Sequence, residues 1–232
     1  HTFSFADYYD SNFERFGALR VINEDVVTAG KGFGMHGHRD FEIYSYVVSG
    51  ELEHQDSMGN VETLKRGDVQ MTSAGTGVRH SEFNRHKSLP VHFLQIWVKP
   101  NANGLAPEYQ TKHYSNQQKL NNLCQIVAPK GSNPSVIHIN QNFSCSASLL
   151  EAGKQVTYDV HRNHLVYVHV VNKKQADHIL HVKLDSDQSE EVQLTSGDGA
   201  FIDISKLGED QIVFKGDEKA ATPVEFLVFD TM

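Results

Sequence analysis

Part of this 232-residue chain is written twice, and that constrains its fold more than any other feature. When Ala29-Gly30-Lys31 is set against Ala152-Gly153-Lys154, the next nineteen residues run in step without a gap, with eight identities in twenty-two positions. His38 meets His161, Arg39 meets Arg162, Tyr44 meets Tyr167, and Val47-Val48 meet Val170-Val171. A second pair, Leu64-Lys65-Arg66-Gly67-Asp68 and Leu194-Thr195-Ser196-Gly197-Asp198, follows in the same order. A repeat about one domain long points to a duplicated unit. The repeated text is strand-like, with short runs rich in Val, Ile, Tyr and Phe, such as Glu42 to Val48, Val91 to Val98, Leu165 to Val171 and Val224 to Phe229. Gly, Asn, Asp and Pro punctuate these runs. The chain is therefore expected to be all-β, two tandem jelly-roll β-barrels.

Pro100 to Asn116 is polar and broken by Gly and Pro, and reads as the linker. That places an N-terminal domain at 1–116 and a C-terminal domain at 117–232. Between Leu52 and Leu64 a hairpin is expected, with Gly59 supplying a positive φ at its turn. The best helix candidate is Asn116 to Leu123, and Asp185 to Glu191 reads as a solvated acidic turn.

Composition narrows the function. A formal net charge of -8, from 21 basic and 29 acidic residues, disfavours direct binding to a nucleic acid, which needs a Lys/Arg-rich face. Cys124 and Cys145 are too few for a disulfide framework and fit reduced thiols in a cytoplasmic protein. No apolar run approaches a bilayer span, and the start, His1-Thr2-Phe3-Ser4-Phe5, has no basic region followed by an apolar core. No membrane or export address is expected. The chain lacks an initiator Met, so residues upstream of His1 are expected. A monomer is expected, with a protein partner left open.

His36 and His38 lie two apart in an extended segment and so share a face. His80-Ser81-Glu82 repeats that arrangement. Three imidazoles and one carboxylate suit a first-row divalent metal such as iron, nickel, copper, zinc, cobalt or manganese, and leave coordination positions open for chemistry. A closed structural zinc site would more usually recruit cysteine. In the second copy Asp159 stands against His36 and Leu165 against Glu42, and no His-x-Glu follows Gly197-Asp198. One metal site is expected, in the N-terminal domain. His54, His92, His161 and His164 lack a partner set and read as surface or hydrogen-bonded strand histidines. Phe33, Tyr44, Tyr46, Met71, Phe93 and Trp97 should wall the first barrel, most in the core and a minority lining a flat aromatic pocket.

Gly30-x5-His36-x-His38-x3-Glu42 is similar to the first cupin motif, and Gly75-x-Gly77-x2-His80-x3-Asn84 to the second. Gly75 stands where cupins usually have Pro, and the Gly67 to Gly75 spacing is two residues longer than the usual pattern. More narrowly, five stretches together resemble the pirin family. They are His1-Thr2-Phe3-Ser4-Phe5, Leu19-Arg20-Val21-Ile22-Asn23, Gly32-Phe33-Gly34-x-His36-x-His38, His54-Gln55-Asp56-Ser57-x-Gly59 and Met71-x-x-Ala74-Gly75-x-Gly77-x-x-His80-Ser81-Glu82. The resemblance covers nearly the whole chain, densely in the first hundred residues and mostly as architecture afterwards. It implies a bicupin with a metal-bearing N-terminal barrel and a degenerate C-terminal one, iron(II) being the first expectation for the metal. Ordinary cupins take the Glu of the first motif as fourth ligand, here Glu42. Pirins take the Glu two residues after the last His, here Glu82, which also has the same-face spacing. Glu42 then becomes a group orienting a ligand imidazole or a solvated strand residue.

The resemblance also implies an activity, the quercetin 2,3-dioxygenase reaction common among bacterial pirins. A flavonol is cleaved with O2 and carbon monoxide is released, Glu82 acting as ligand and base. The rival is a metal-dependent regulator acting by protein contact, as in animal pirin. For that role Arg39, Lys65, Arg66, Arg79, Arg85, His86 and Lys87 would form a charged patch near the metal. A third reading is a cupin acting on a different small metabolite.

Overall fold

Turn-forming residues cut the chain into short strands, and the pairing of those strands repeats the duplication in the sequence. The computed structural model describes residues 1–161, 163–173, 178–185, 190–203 and 210–232. Arg162, the repeat partner of Arg39, and residues 186–189 of the acidic run lie outside the described residues. The chain opens with β1 (Leu19–Val27), β2 (Gly32–His38), β3 (Glu42–Ser49), β4 (Glu51–Asp56), β5 (Val61–Lys65), β6 (Asp68–Ser73), β7 (Val78–Phe83), β8 (Val91–Val98) and β9 (Glu108–His113). A one-turn helix, α1 (Asn116–Lys119), comes next, then β10 (Cys124–Pro129), β11 (Ile137–Ile139), β12 (Phe143–Leu150), β13 (Gln155–Val160) and β14 (Leu165–Val170). The last strands are β15 (Leu180–Leu184), β16 (Val192–Leu194), β17 (Gly199–Asp203), β18 (Asp210–Gly216) and β19 (Val224–Thr231).

These elements form two compact units, 1–114 with 129–142 and 115–128 with 143–232. The first unit holds the sheets β1-β8-β3-β6-β9 and β2-β7-β4-β5. In the second, β12-β19-β14-β17 and β13-β18-β15-β16 repeat the shared order strand for strand. The expected all-β chain of two jelly-roll units is what the strands form. No described helix is long and apolar enough to cross a membrane.

Local chemistry explains the main features. β3, flanked by β8 and β6, is buried at every residue except Ser49. The expected hairpin joins β4 to β5 with Gly59 at φ +96, and Asp56 pins its turn. Asp56 Oδ1 accepts from the Met58 and Asn60 backbone N–H groups at 2.9 and 3.0 Å. Ser115 and Gln118 form a capping box at the start of α1. The helix stops after Lys119, short of the expected Leu123, because Leu120 is extended and Asn121 sits at φ +51.

The expected linker behaves differently. Glu108–His113 pairs in register with β6 as an edge strand, a position that tolerates its polar sequence. Residues 129–142 then return to the first unit. There Gln110 exchanges two hydrogen bonds with the His138 backbone, both 3.0 Å.

Candidate metal centre

β2 and β7 run antiparallel with His36 directly opposite His80, and a register shift between Phe33 and His36 marks a β-bulge in β2. The three rings converge through one type of atom. His80 Nε2 lies 2.9 Å from His38 Nε2 and 3.1 Å from His36 Nε2. His36 Nδ1 sits 2.7 Å from the Gly34 carbonyl, which places the His36 proton there and leaves Nε2 a bare lone pair. Burial, with the neighbouring imidazoles adding to it, pulls His38 down to about 4 and His80 down to about 3. Both are neutral at neutral pH, as ligation requires.

The geometry fits a metal. Metal–nitrogen bonds of about 2.0–2.1 Å separate cis donors by roughly 3.0 Å in an octahedral shell and roughly 3.4 Å in a tetrahedral one. The observed spacings match the first. Three imidazole nitrogens are thereby held within reach of a single cation.

Glu82 lies two residues along β7 from His80 and is buried. Ser45 Oγ donates to its Oε1 at 3.0 Å and Gln95 Nε2 to its Oε2 at 2.5 Å. Trp97 Nε1 in turn donates to Gln95 Oε1 at 3.1 Å. Burial pushes Glu82 up to about 7, against the two hydrogen bonds that favour its charge. His36, His38 and His80 form one set of potential ligand atoms mutually within 4.8 Å, while Glu82 falls in a second set with His54 and His80.

His54 thus belongs to this site, where the sequence suggested an ordinary strand histidine. It is fully buried, directly opposite Glu82, with its ring 5.3 Å from that of His80. Its Nε2 is 3.3 Å from Asp56 Oδ2, while its Nδ1 and that of His80 meet no hydrogen-bond partner. The alternation Leu52, His54, Asp56 in β4 was the available signal, since the two flanking positions also point inward.

A cavity of about 500 Å³ opens over the imidazoles, its walls including Phe5, Phe33, Phe41 and Trp97 with Glu82 and Gln95. Trp97 packs edge-on against His38 at 4.7 Å and Phe5 at 5.4 Å, and Phe41 lies 5.4 Å away. Asp25 also borders the cavity, its carboxyl raised by burial. Of the expected wall residues Phe33 and Trp97 line the cavity, while Tyr44, Tyr46, Met71 and Phe93 are fully buried.

Glu42 is neither solvated nor beside an imidazole. Its two oxygens accept from the Asn140 backbone N–H and side-chain amide, both at 2.7 Å, so it fastens the returning segment to β3. His92 pairs with Glu24 at 2.7 Å, His164 with Asp230 at 2.5 Å, and His161 is exposed. Of the expected cationic patch, Lys65 and Arg85 are paired with Glu51 and Glu53, and Arg66 donates to the Val48 carbonyl. Arg39 and Arg79 flank the approach to His38.

The second unit contains the physical counterparts of these positions. Val156, aligned with Phe33, pairs with Phe214 as Phe33 pairs with Glu82. β13 has no bulge, so the counterpart of the His36–His80 pair is Tyr158–Ile212, one residue away from the Asp159 that sequence alignment offers. Asp159 is exposed and accepts from Gln211 at 2.5 Å. Among the described residues this unit presents no cluster of potential ligands.

Comparison with known proteins agrees with the architecture. Residues 1–98 match the Pirin family and residues 125–231 the quercetinase C-terminal cupin domain. The chain is 42% identical to the quercetin 2,3-dioxygenase of Escherichia coli (strain K12) over 171 residues, 74% of this chain and 72% of that one. A pirin-like protein of Caulobacter vibrioides is 34% identical over 168 residues, 72% of each chain. The crystal structure of YhhW from Escherichia coli superposes with a TM-score of 0.84 at 36% identity, over 100% of this chain and 89% of that one. The crystal structure of bacterial pirin YhhW in complex with nickel(II), also from Escherichia coli, gives 0.81 at 35% identity, over 100% and 90%. With its strand order, its histidine cluster and these likenesses in agreement, the chain belongs to the pirin family.

Proposed function

We propose that His36, His38, His80 and Glu82 hold one divalent first-row ion, with iron(II) foremost and nickel, copper, manganese, cobalt or zinc as alternatives. On this reading the chain is a quercetin 2,3-dioxygenase, which opens the central ring of a flavonol with O2 and releases carbon monoxide. The observation that carries the reading is the convergence of three imidazole Nε2 atoms, at 2.9 and 3.1 Å, beneath an aromatic-walled cavity. The relatives named as quercetin 2,3-dioxygenases and the nickel(II) complex of a family member support it.

The bound ion would supply Lewis-acid and redox contact to a flavonol 3-hydroxyl and to dioxygen. The remaining work falls to side chains. Phe5, Phe33, Phe41 and Trp97 hold a flat aromatic ligand and keep water from its faces. Glu82 takes the 3-hydroxyl proton on a carboxylate oxygen, acting as the general base. Ser45 and Gln95 fix the direction of the carboxylate, and Trp97 fixes Gln95. To serve also as a ligand, Glu82 turns toward the imidazoles and exchanges one of these hydrogen bonds.

The test is to load the protein anaerobically with each metal and follow quercetin loss and oxygen uptake. Glu82→Ala should lose about a hundredfold or more in turnover, the usual scale for a lost acid–base group, and His36→Ala should lose bound metal and turnover together. Wild-type rates in both variants would sink the enzyme reading.

A further inference from the structure

We propose that a second depression in the first unit, behind Phe41, binds a small molecule carrying a doubly charged oxyanion of the phosphate type. Its volume of about 400 Å³ is that of a small-ligand pocket, and Arg15, Arg20 and Lys99 all border it. Three cations around one concavity stand out in a chain whose net charge is -8.

The backbone gathers them. The Lys99 N–H donates to the Ala18 carbonyl at 2.9 Å, joining the end of β8 to the start of β1 and bringing Lys99 beside Arg20. Arg20 is half-buried, and its Nη1 donates to the Ser4 carbonyl at 2.7 Å, which holds the guanidinium in place. The Arg15 guanidinium and the Lys99 ammonium have no hydrogen-bond or ion-pair partner among the described residues. Asp40 is the carboxylate on this wall, and its Oδ1 already accepts from the Gly104 N–H at 2.6 Å. The local balance stays positive by two charges.

Two guanidinium forks and one ammonium suit a tetrahedral oxyanion, the forks giving paired N–H donors and the ammonium a point charge. Phe41 lines both this depression and the metal cavity, so an occupant would rest against the back of the aromatic wall. Nothing in the proposal depends on the bound metal or on the dioxygenase reading.

Calorimetric titration of the metal-free full chain with inorganic phosphate, at low and constant ionic strength, tests it. Saturable binding at one site is expected, weakened about tenfold or more in Arg15→Ala and in Lys99→Ala, the scale of a lost charge-assisted hydrogen bond. Lys130→Ala, at an exposed lysine paired with Glu108, should bind as wild type does. A parallel titration with phenyl phosphate distinguishes an ester ligand, which would bind more tightly, from the free anion, which would bind equally. No saturable heat in wild type, or wild-type affinity in both Arg15→Ala and Lys99→Ala, would overturn the proposal.

Discussion

The two units share a strand order but have opposite interiors. Across the sheets of the first lie Ser45, His54, His80, Glu82 and Gln95, all buried. Strand pairing places Val168, Val182, Ile212, Phe214 and Val228 at the same points in the second, all members of one apolar cluster. One framework therefore supports either a core or a site. Burial of polar groups is tolerated in the first unit because most are paired, Glu82 by Ser45 and Gln95. At the five counterpart positions the second unit carries apolar side chains, so a polar group placed there would meet no such partner.

The largest effect should come from breaking the apolar copy. Phe214→Glu places a carboxyl where Glu82 sits, but among Val168, Val182 and Val228 instead of Ser45, His54 and Gln95. It should lower stability by about 3–5 kcal/mol, the scale of an uncompensated buried charge. Denaturant unfolding checks this, and a loss under about 1 kcal/mol would mean that the second interior has polar partners after all.

Glu82→Gln sharpens the other half of the comparison. In the metal-free protein the folded-state pKa of Glu82 lies near 7, above its ordinary 4.5. Between these values the folded state keeps a proton that the unfolded state has lost, so stability falls as pH rises. Relative to wild type, Glu82→Gln should gain nothing below about pH 4.5 and up to about 3 kcal/mol above about pH 7. A pH-independent difference between the two unfolding curves would contradict this. The lowered His38 and His80 act in the opposite direction, destabilising the fold as pH falls below their unfolded value of 6.5, and cancel in the comparison.

The smallest effect is expected at the residue the sequence alignment sets against His36. Asp159→His should leave stability within about 0.5 kcal/mol, since it changes an exposed residue, and leave metal content unchanged, since it points away from the interior. Metal analysis showing an extra ion per chain would restore the ungapped alignment as the physical one.

That one-residue slip shows where sequence reading stops. The repeat, the strands and the gathering of His36, His38 and His80 were legible because side-chain alternation and turn residues are local signals. The bulge between Phe33 and His36 was not, because eight identities in an ungapped alignment conceal a change of strand phase. His54 and Glu42 were missed for a related reason: polar strand residues are usually solvated, and only their partners across the sheets reveal burial. β9 escaped notice because an edge strand needs no apolar face, and the return of residues 129–142 to the first unit leaves no compositional mark.

Metal stoichiometry tests the central claim most directly. Wild-type protein and His80→Ala would be loaded with nickel(II), passed through a desalting column and analysed for bound ion. The account predicts one ion per chain in wild type and essentially none in His80→Ala, because that imidazole touches both of the others. Two ions per chain in wild type, or an ion retained in His80→Ala, would contradict it.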